Sequence, residues 1–276
     1  MKTAIVYDRV NKWGGAERVL VALHEIFPDA PLFTAVYNPK QAKWAKIFPN
    51  VIPTYLQKIP YLRDRHELLG TFTPMAFELF DFSEYDLVIS VTSEAAKGII
   101  TTPPTRHICY CLTPTRYLYS GKKLYKKSPP KYLNFPLYEY ISKPFLYYVG
   151  KWDGVAAQRP DDYVAISKEV QSRIKKYYKR DSVVIHPPVD TNKFKYNGNV
   201  KKKDSYLLVS RLVPYKKVDI AIEAFNELGK ELIIVGKGSE EEKLKSKAAD
   251  NIKFVGEVTD RKLARYYLEA KGLVFP

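Results

Sequence analysis

Short apolar runs, rich in valine and isoleucine, recur along this chain with helix-like patterns between them. That rhythm constrains the fold more than any other feature, because a strand that is apolar on both faces has to be covered on both faces. The strand-like runs are Thr3–Tyr7, Leu32–Val36, Asp86–Val91, His107–Cys111, Tyr163–Ile166 and Val183–Ile185. The helical patterns between them are Ala16–Ile26, Tyr132–Val149 and Lys168–Tyr178. The one Asn-Gly hairpin signal, Asn197-Gly198, lies in a polar stretch rather than between alternating strands. The sequence therefore reads as α/β, with parallel sheets built from βαβ units.

The rhythm breaks once. Two prolines in His186-Pro187-Pro188-Val189-Asp190 stop it, and Lys195 to Asp204 runs polar and basic. It then resumes with strand Tyr206–Ser210, helix Val218–Leu228, strand Leu232–Val235, helix Ser239–Ala249, strand Ile252–Val255, helix Arg261–Ala270 and strand Gly272–Phe275. This predicts a first domain over 1–190, a linker over 191–204 and a second domain over 205–276. The second ends on a strand without a covering helix after it, so it reads as incomplete and the chain as truncated.

A hydrophobic content of 46% argues against disorder. No apolar run reaches the ~18 residues of a membrane span, and Asp8 and Arg9 interrupt the N-terminal run before it resembles a signal peptide. Cys109 and Cys111 would share one face of a strand with no nearby Cys or His at metal-ligand spacing, which reads as two free buried thiols.

The net charge is +15, and it is concentrated: Gly121 to Arg180 holds 14 basic and five acidic residues, interleaved with tyrosines. Lys122-Lys123-Leu124-Tyr125-Lys126-Lys127 is compatible with an anchor on an anionic membrane surface, with a solvated lysine face, and with nucleic-acid binding, although no nucleic-acid motif accompanies it.

Two loops have the chemistry of anion sites. Gly14-Gly15 follows strand Thr3–Tyr7 and opens a helix, where glycine permits close backbone approach and a positive φ; Glu17 in the first turn complements the helix dipole. Arg211 and Lys216 lie between strand Tyr206–Ser210 and helix Val218–Leu228, where a fixed guanidinium and a mobile ammonium can hold a diphosphate from two sides. Lys217 satisfies the same spacing. Gly236-Lys237-Gly238 and Gly256-Glu257-Val258 each end a later strand. His24, His66, His107 and His186 form neither a triad nor a metal site, and Asp161-Asp162 reads as a strand opening.

Taken in order, the motifs resemble a known family. Gly14-Gly15-Ala16-Glu17, Tyr110-Cys111-Leu112-Thr113-Pro114-Thr115-Arg116-Tyr117, Ala165-Ile166-Ser167-Lys168, His186-Pro187-Pro188-Val189-Asp190, Ser210-Arg211-Leu212-Val213-Pro214-Tyr215-Lys216, Ile234-Val235-Gly236-Lys237-Gly238 and Phe254-Val255-Gly256-Glu257-Val258 are similar to those of the retaining glycosyltransferases of family 4. The resemblance implies a GT-B fold: two Rossmann-like parallel-sheet domains with a cleft between them, the second incomplete here. It also implies transfer of a hexose, with mannose from GDP-mannose favoured over a UDP-hexose, to a glycolipid or polysaccharide acceptor with retention of configuration.

By the same resemblance Arg211 and Lys216 are catalytic, neutralising the leaving diphosphate. Gly14, Gly15, Glu17, Arg116, Gly236, Gly238 and Val258 contact the donor. No metal or cofactor is needed, and the protein would work at the cytoplasmic face of the membrane. Leu112 departs from the family's usual histidine. The family's paired glutamates, which bind sugar and ribose, would fall beyond Pro276, so the chain alone is expected to have little transferase activity. A nucleotide-sugar binder without catalysis is the alternative.

Overall fold

The computed structural model describes residues 1–59, 70–122, 138–191 and 200–276. It divides into two compact units, Met1–Pro188 and Val189–Pro276.

The first unit is a seven-stranded parallel sheet: β1 (Thr3–Tyr7), β2 (Leu32–Thr34), β3 (Val51–Pro53), β4 (Leu87–Thr92), β5 (Arg106–Cys111), β6 (Asp162–Ala165) and β7 (Val183–Val184). Their order is β3-β2-β1-β4-β5-β6-β7. Its helices are α1 (Gly15–Ile26), α2 (Thr73–Glu78), α3 (Tyr138–Ala156) and α4 (Lys168–Tyr178). Every residue of β1 is buried, and the strand's period of two divides it between the two faces. Ile5 and Tyr7 pack with Val19 and Leu20 of α1, whereas Ala4 and Val6 pack with Phe77 and Val88 on the other side. The chain winds outward from β1 through β2 to β3, then returns to lay β4 on the opposite edge of β1. That reversal makes the carboxyl ends of β1 and β4 the place where a doubly wound sheet opens a crevice.

The second unit holds β8 (Ser205–Val209), β9 (Glu231–Val235), β10 (Ile252–Gly256) and β11 (Gly272–Leu273), all parallel, in the order β10-β9-β8-β11. Helices α5 (Val218–Leu228) and α6 (Glu241–Lys245) cover one face through Ile222, Phe225 and Leu244. Helix α7 (Asp260–Glu269) covers the other through Leu263 and Tyr266. Here the winding reverses between β8 and β11.

Helix ends follow from local chemistry. Ser167 caps α4 by accepting the Val170 N–H at 3.2 Å, and Gly229 ends α5 in the left-handed region at φ 63°. Val218, Ala221, Ile222 and Phe225 give α5 the i, i+3, i+4, i+7 stripe of a half-buried helix. Some expectations need correction. The helix expected over Ser239–Ala249 contracts to Glu241–Lys245, because beyond Leu244 only Ala248 turns toward the core among lysines. The strand expected to reach Val36 stops at Thr34, where the Ala35 N–H turns to the carbonyl of Asp8. The helix expected over Tyr132–Val149 continues to Ala156 through Pro144, and its residues 132–137 lie outside the described residues. Lys123–Lys127 and the Asn197-Gly198 stretch also lie outside them. Among the described residues no helix is long and apolar enough to cross a membrane.

Candidate functional site

In the second unit, the loop leaving β8 is knitted to the loops that leave β9 and β10. The Ser210 N–H donates to Val235 O at 3.0 Å, Leu212 N–H to Lys237 O at 2.9 Å, and Gly236 N–H to Gly256 O at 2.8 Å. Leu212 is fully buried and anchors the loop in the core. Gly236 adopts φ +134°, and a Cβ there would meet Ser210 O at 1.9 Å; a Cβ on Gly238 would meet Leu212 O at 2.0 Å. Both glycines are thus required by the backbone of residues 210–212. Val258, at the end of the β10 loop, packs its side chain with Leu263 and Tyr266 of α7.

That knitting fixes the loop carrying the two cations. Pro214–Lys216 forms a 3-10 turn, and Lys217 at φ 53° starts α5. The Arg211 guanidinium hydrogen-bonds the Tyr215 hydroxyl and lies 5.8 Å from that ring's centroid. The Lys216 ammonium lies 5.9 Å from the same centroid and 5.7 Å from that of Phe275, just past β11. Tyr215 therefore holds both cations at the carboxyl end of β8, beside the reversal point of the sheet. Among the described residues neither cation has a carboxylate partner, so the positive charge is uncompensated.

The first unit gathers a different set. Gly14 and Gly15 open α1 beyond β1, but without the expected positive φ: Gly14 is extended at φ −175°, and Gly15 is not among the positive-φ glycines. A Cβ on Gly15 would meet nothing within 4 Å. Glu17 lies in the first turn of α1, as the sequence reads. It is buried and accepts the Tyr7 hydroxyl at 2.7 Å, while burial, with Glu17 beside it, pushes that phenol well above its ordinary range. Arg116 sits two strands away, exposed in the loop after β5, where its carbonyl accepts the Gly121 N–H at 2.7 Å. Leu112, at the expected histidine position, packs half-buried against the core.

Several residues that sequence reasoning passed over hold these loops in place. The Asp8 carboxylate accepts the Thr92 hydroxyl at 2.7 Å, the Ser93 N–H at 2.7 Å and the Ala96 N–H at 2.9 Å, which ties the ends of β1 and β4 together. Burial first, and Glu94 second, raise its pKa against those N–H bonds. Arg9 pairs with Glu94 at 2.6 Å. Beneath the loop after β5, Lys97 meets Asp153 at 2.5 Å, and Asp153 also accepts Thr115 Oγ1 at 2.7 Å and the Tyr119 hydroxyl at 3.0 Å. The sequence signals for these are Asp8, a carboxylate at the end of an apolar strand, and Thr115, within the Tyr110–Tyr117 motif.

Comparison with known proteins adds the fold's relatives. Residues 189–276 match the family described as glycosyl transferases group 1. No curated protein matches the chain. Among solved structures it is similar to HepE from Anabaena in complex with UDP and glucose, at 17% identity and a TM-score of 0.64 over 100% of this chain and 74% of that one. It is also similar to the apo lipopolysaccharide outer core galactosyltransferase WaaB, at 17% identity and TM-score 0.60 over 100% and 74%. The catalytic domain of starch synthase IV from Arabidopsis thaliana, bound to ADP and acarbose, follows at 12% identity and TM-score 0.56 over 100% and 78%. At these identities the likeness is one of fold, the GT-B fold of two parallel α/β units.

Proposed function

We propose that this chain is a glycosyltransferase that moves a hexose from a nucleotide diphosphate sugar to a glycolipid or polysaccharide acceptor, with retention at the anomeric carbon. The observation that carries it is the pair Arg211 and Lys216, braced on Tyr215 at the carboxyl end of β8 and uncompensated by carboxylates. The group 1 match spans this same unit. When the bond from the sugar to the diphosphate breaks, negative charge grows on the leaving oxygen. A guanidinium and an ammonium already in place stabilise that charge more than they stabilise the intact donor. Two such cations supply what a divalent metal would, so this reaction runs without one. In this reading the main chain at Gly236, Gly238 and Val258 borders the nucleotide. The Arg211–Lys216 segment favours a mannosyl donor, whereas HepE's bound UDP and glucose and WaaB's name favour a UDP-hexose.

The test is a donor panel of UDP-glucose, UDP-galactose and GDP-mannose, followed by calorimetry and by release of nucleoside diphosphate. Arg211→Ala and Lys216→Ala should each lower turnover by roughly 10²–10³-fold, with Lys217→Ala close to unchanged. Full turnover in the Arg211→Ala/Lys216→Ala double variant would overturn the assignment. Tight donor binding with no sugar released or transferred would make the chain a nucleotide-sugar-binding protein instead.

The protein also docks on the anionic, cytoplasmic face of a membrane in this reading. Helix α3 supports it: Phe145, Leu146, Tyr147 and Tyr148 are all exposed, between the exposed lysines Lys143 and Lys151.

A further inference from the structure

The β1–α1 loop carries a side chain that anion recognition does not use. Trp13 is 47% exposed immediately before Gly14-Gly15. Single exposed aromatics are common on protein surfaces, but this one is braced. Its ring lies 6.0 Å from that of Trp44 at 54°, and the Trp44 indole N–H donates to Lys12 O at 2.7 Å. Trp44 in turn meets the buried Phe48 edge-on at 6.3 Å. A row of rings thus runs from the core to the surface and holds the outermost indole in position. The Arg18 guanidinium lies 5.9 Å from the Trp13 ring centroid. Beside them α1 begins without a side-chain cap, and the missing Cβ of Gly15 leaves open space.

We infer that Trp13 is the floor of an acceptor-sugar subsite, on which a pyranose ring stacks with its hydroxyls toward Arg18 and the first N–H groups of α1. This inference rests on the glycosyltransferase reading. The chemistry selects the occupant. One face of a pyranose presents several C–H groups whose hydrogens carry partial positive charge, and the π face of an indole is negative. The rim of the same ring carries hydroxyls, which need donors and acceptors around the platform, and a guanidinium and uncapped helix N–H groups provide the donors. The subsite lies at the carboxyl end of β1, beside the crevice that the reversal between β1 and β4 creates.

The experiment uses the whole chain labelled with ¹⁵N. Its three tryptophans, Trp13, Trp44 and Trp152, give three indole N–H signals, assigned by single Phe replacements. Methyl β-D-glucopyranoside and methyl β-D-galactopyranoside are titrated to about 50 mM, with saturation transfer to the sugar C–H protons; uridine and UDP are titrated separately. At least one glycoside should shift the Trp13 indole signal. Trp13→Ala should weaken its Kd by at least about tenfold, while Trp13→Phe, which keeps a stacking face, should retain most of the affinity. UDP binding should be unchanged in both variants, which also reports that they fold. UDP binding with a silent Trp13, or equal sugar binding by Trp13→Ala, would overturn the subsite and leave the transferase reading standing. A Trp13 signal that moves with uridine but not with the glycosides would also overturn it, in favour of a base platform. If neither glycosides nor any nucleotide diphosphate binds, the transferase reading itself fails.

Discussion

A lysine and an aspartate that are each 1% exposed face each other in the interior of the first unit. Burial alone would push the Lys97 ammonium down, but Asp153 at 2.5 Å outweighs it and the net direction is up. Removing one partner strands the other charge in the protein interior. Lys97→Met or Asp153→Asn should therefore cost about 3–5 kcal/mol in urea unfolding, while the double change Lys97→Met/Asp153→Leu should recover most of it. His107 makes a complementary case. It is fully buried beside Ser90 at 2.8 Å, and burial holds its pKa down to about 3, against an ordinary value of 6.5. The folded chain excludes a proton that the unfolded chain accepts, so the stabilisation is complete above pH ~6.5 and falls as pH drops toward 3. The unfolding free energy from urea titration should decline below pH ~6.5 by up to about 1.4 kcal/mol per pH unit, and His107→Gln should flatten that slope between pH 6.5 and 5. A midpoint independent of pH over that interval would contradict the buried neutral imidazole.

Elements were legible where periodicity and end chemistry agreed. Lys168–Tyr178 and Val218–Leu228 were read from the sequence with the boundaries they have, since Ser167 opens one and Gly229 closes the other. Strand β3 escaped notice because three residues ending in Pro53 carry no period, and α2 because six residues opened by Pro74 do not complete two turns. The candidate site divided along the same line. A strand followed by a loop and a helix is a local pattern, so the loops bearing Arg211 and Gly14 could be located. Lys97 and Asp153 stand 56 residues apart, and no local pattern joins them. The glycines after β9 were visible as a turn, but the carbonyl occupying their missing Cβ belongs to another loop. Gly236→Ala should accordingly cost about 2 kcal/mol or more, by forcing both φ +134° and the contact with Ser210 O, and should weaken nucleotide binding with it. Gly15→Ala, which meets nothing within 4 Å, should leave stability within about 1 kcal/mol.

Across the whole molecule a net charge of +15 biases every encounter toward anionic surfaces. The exposed run Phe145–Tyr148 and the neighbouring lysines would localise such contact on α3. Vesicles containing phosphatidylserine should therefore co-sediment the protein. Replacing Lys122, Lys143 and Lys151 with glutamate should reduce the bound fraction by tenfold or more, at about 1 kcal/mol per lysine near the surface, and 0.5 M salt should act likewise. Unchanged sedimentation would remove the membrane from the proposal, and preferential binding to DNA would replace it. The order of the first sheet bears on how the protein is made. Strand β1 lies inside it, third of seven, yet one of its two neighbours is β4, which leaves the ribosome about 85 residues later, or roughly 4–17 s at 5–20 residues per second. Throughout that interval one edge of Thr3–Tyr7, buried in the finished sheet, has no native partner.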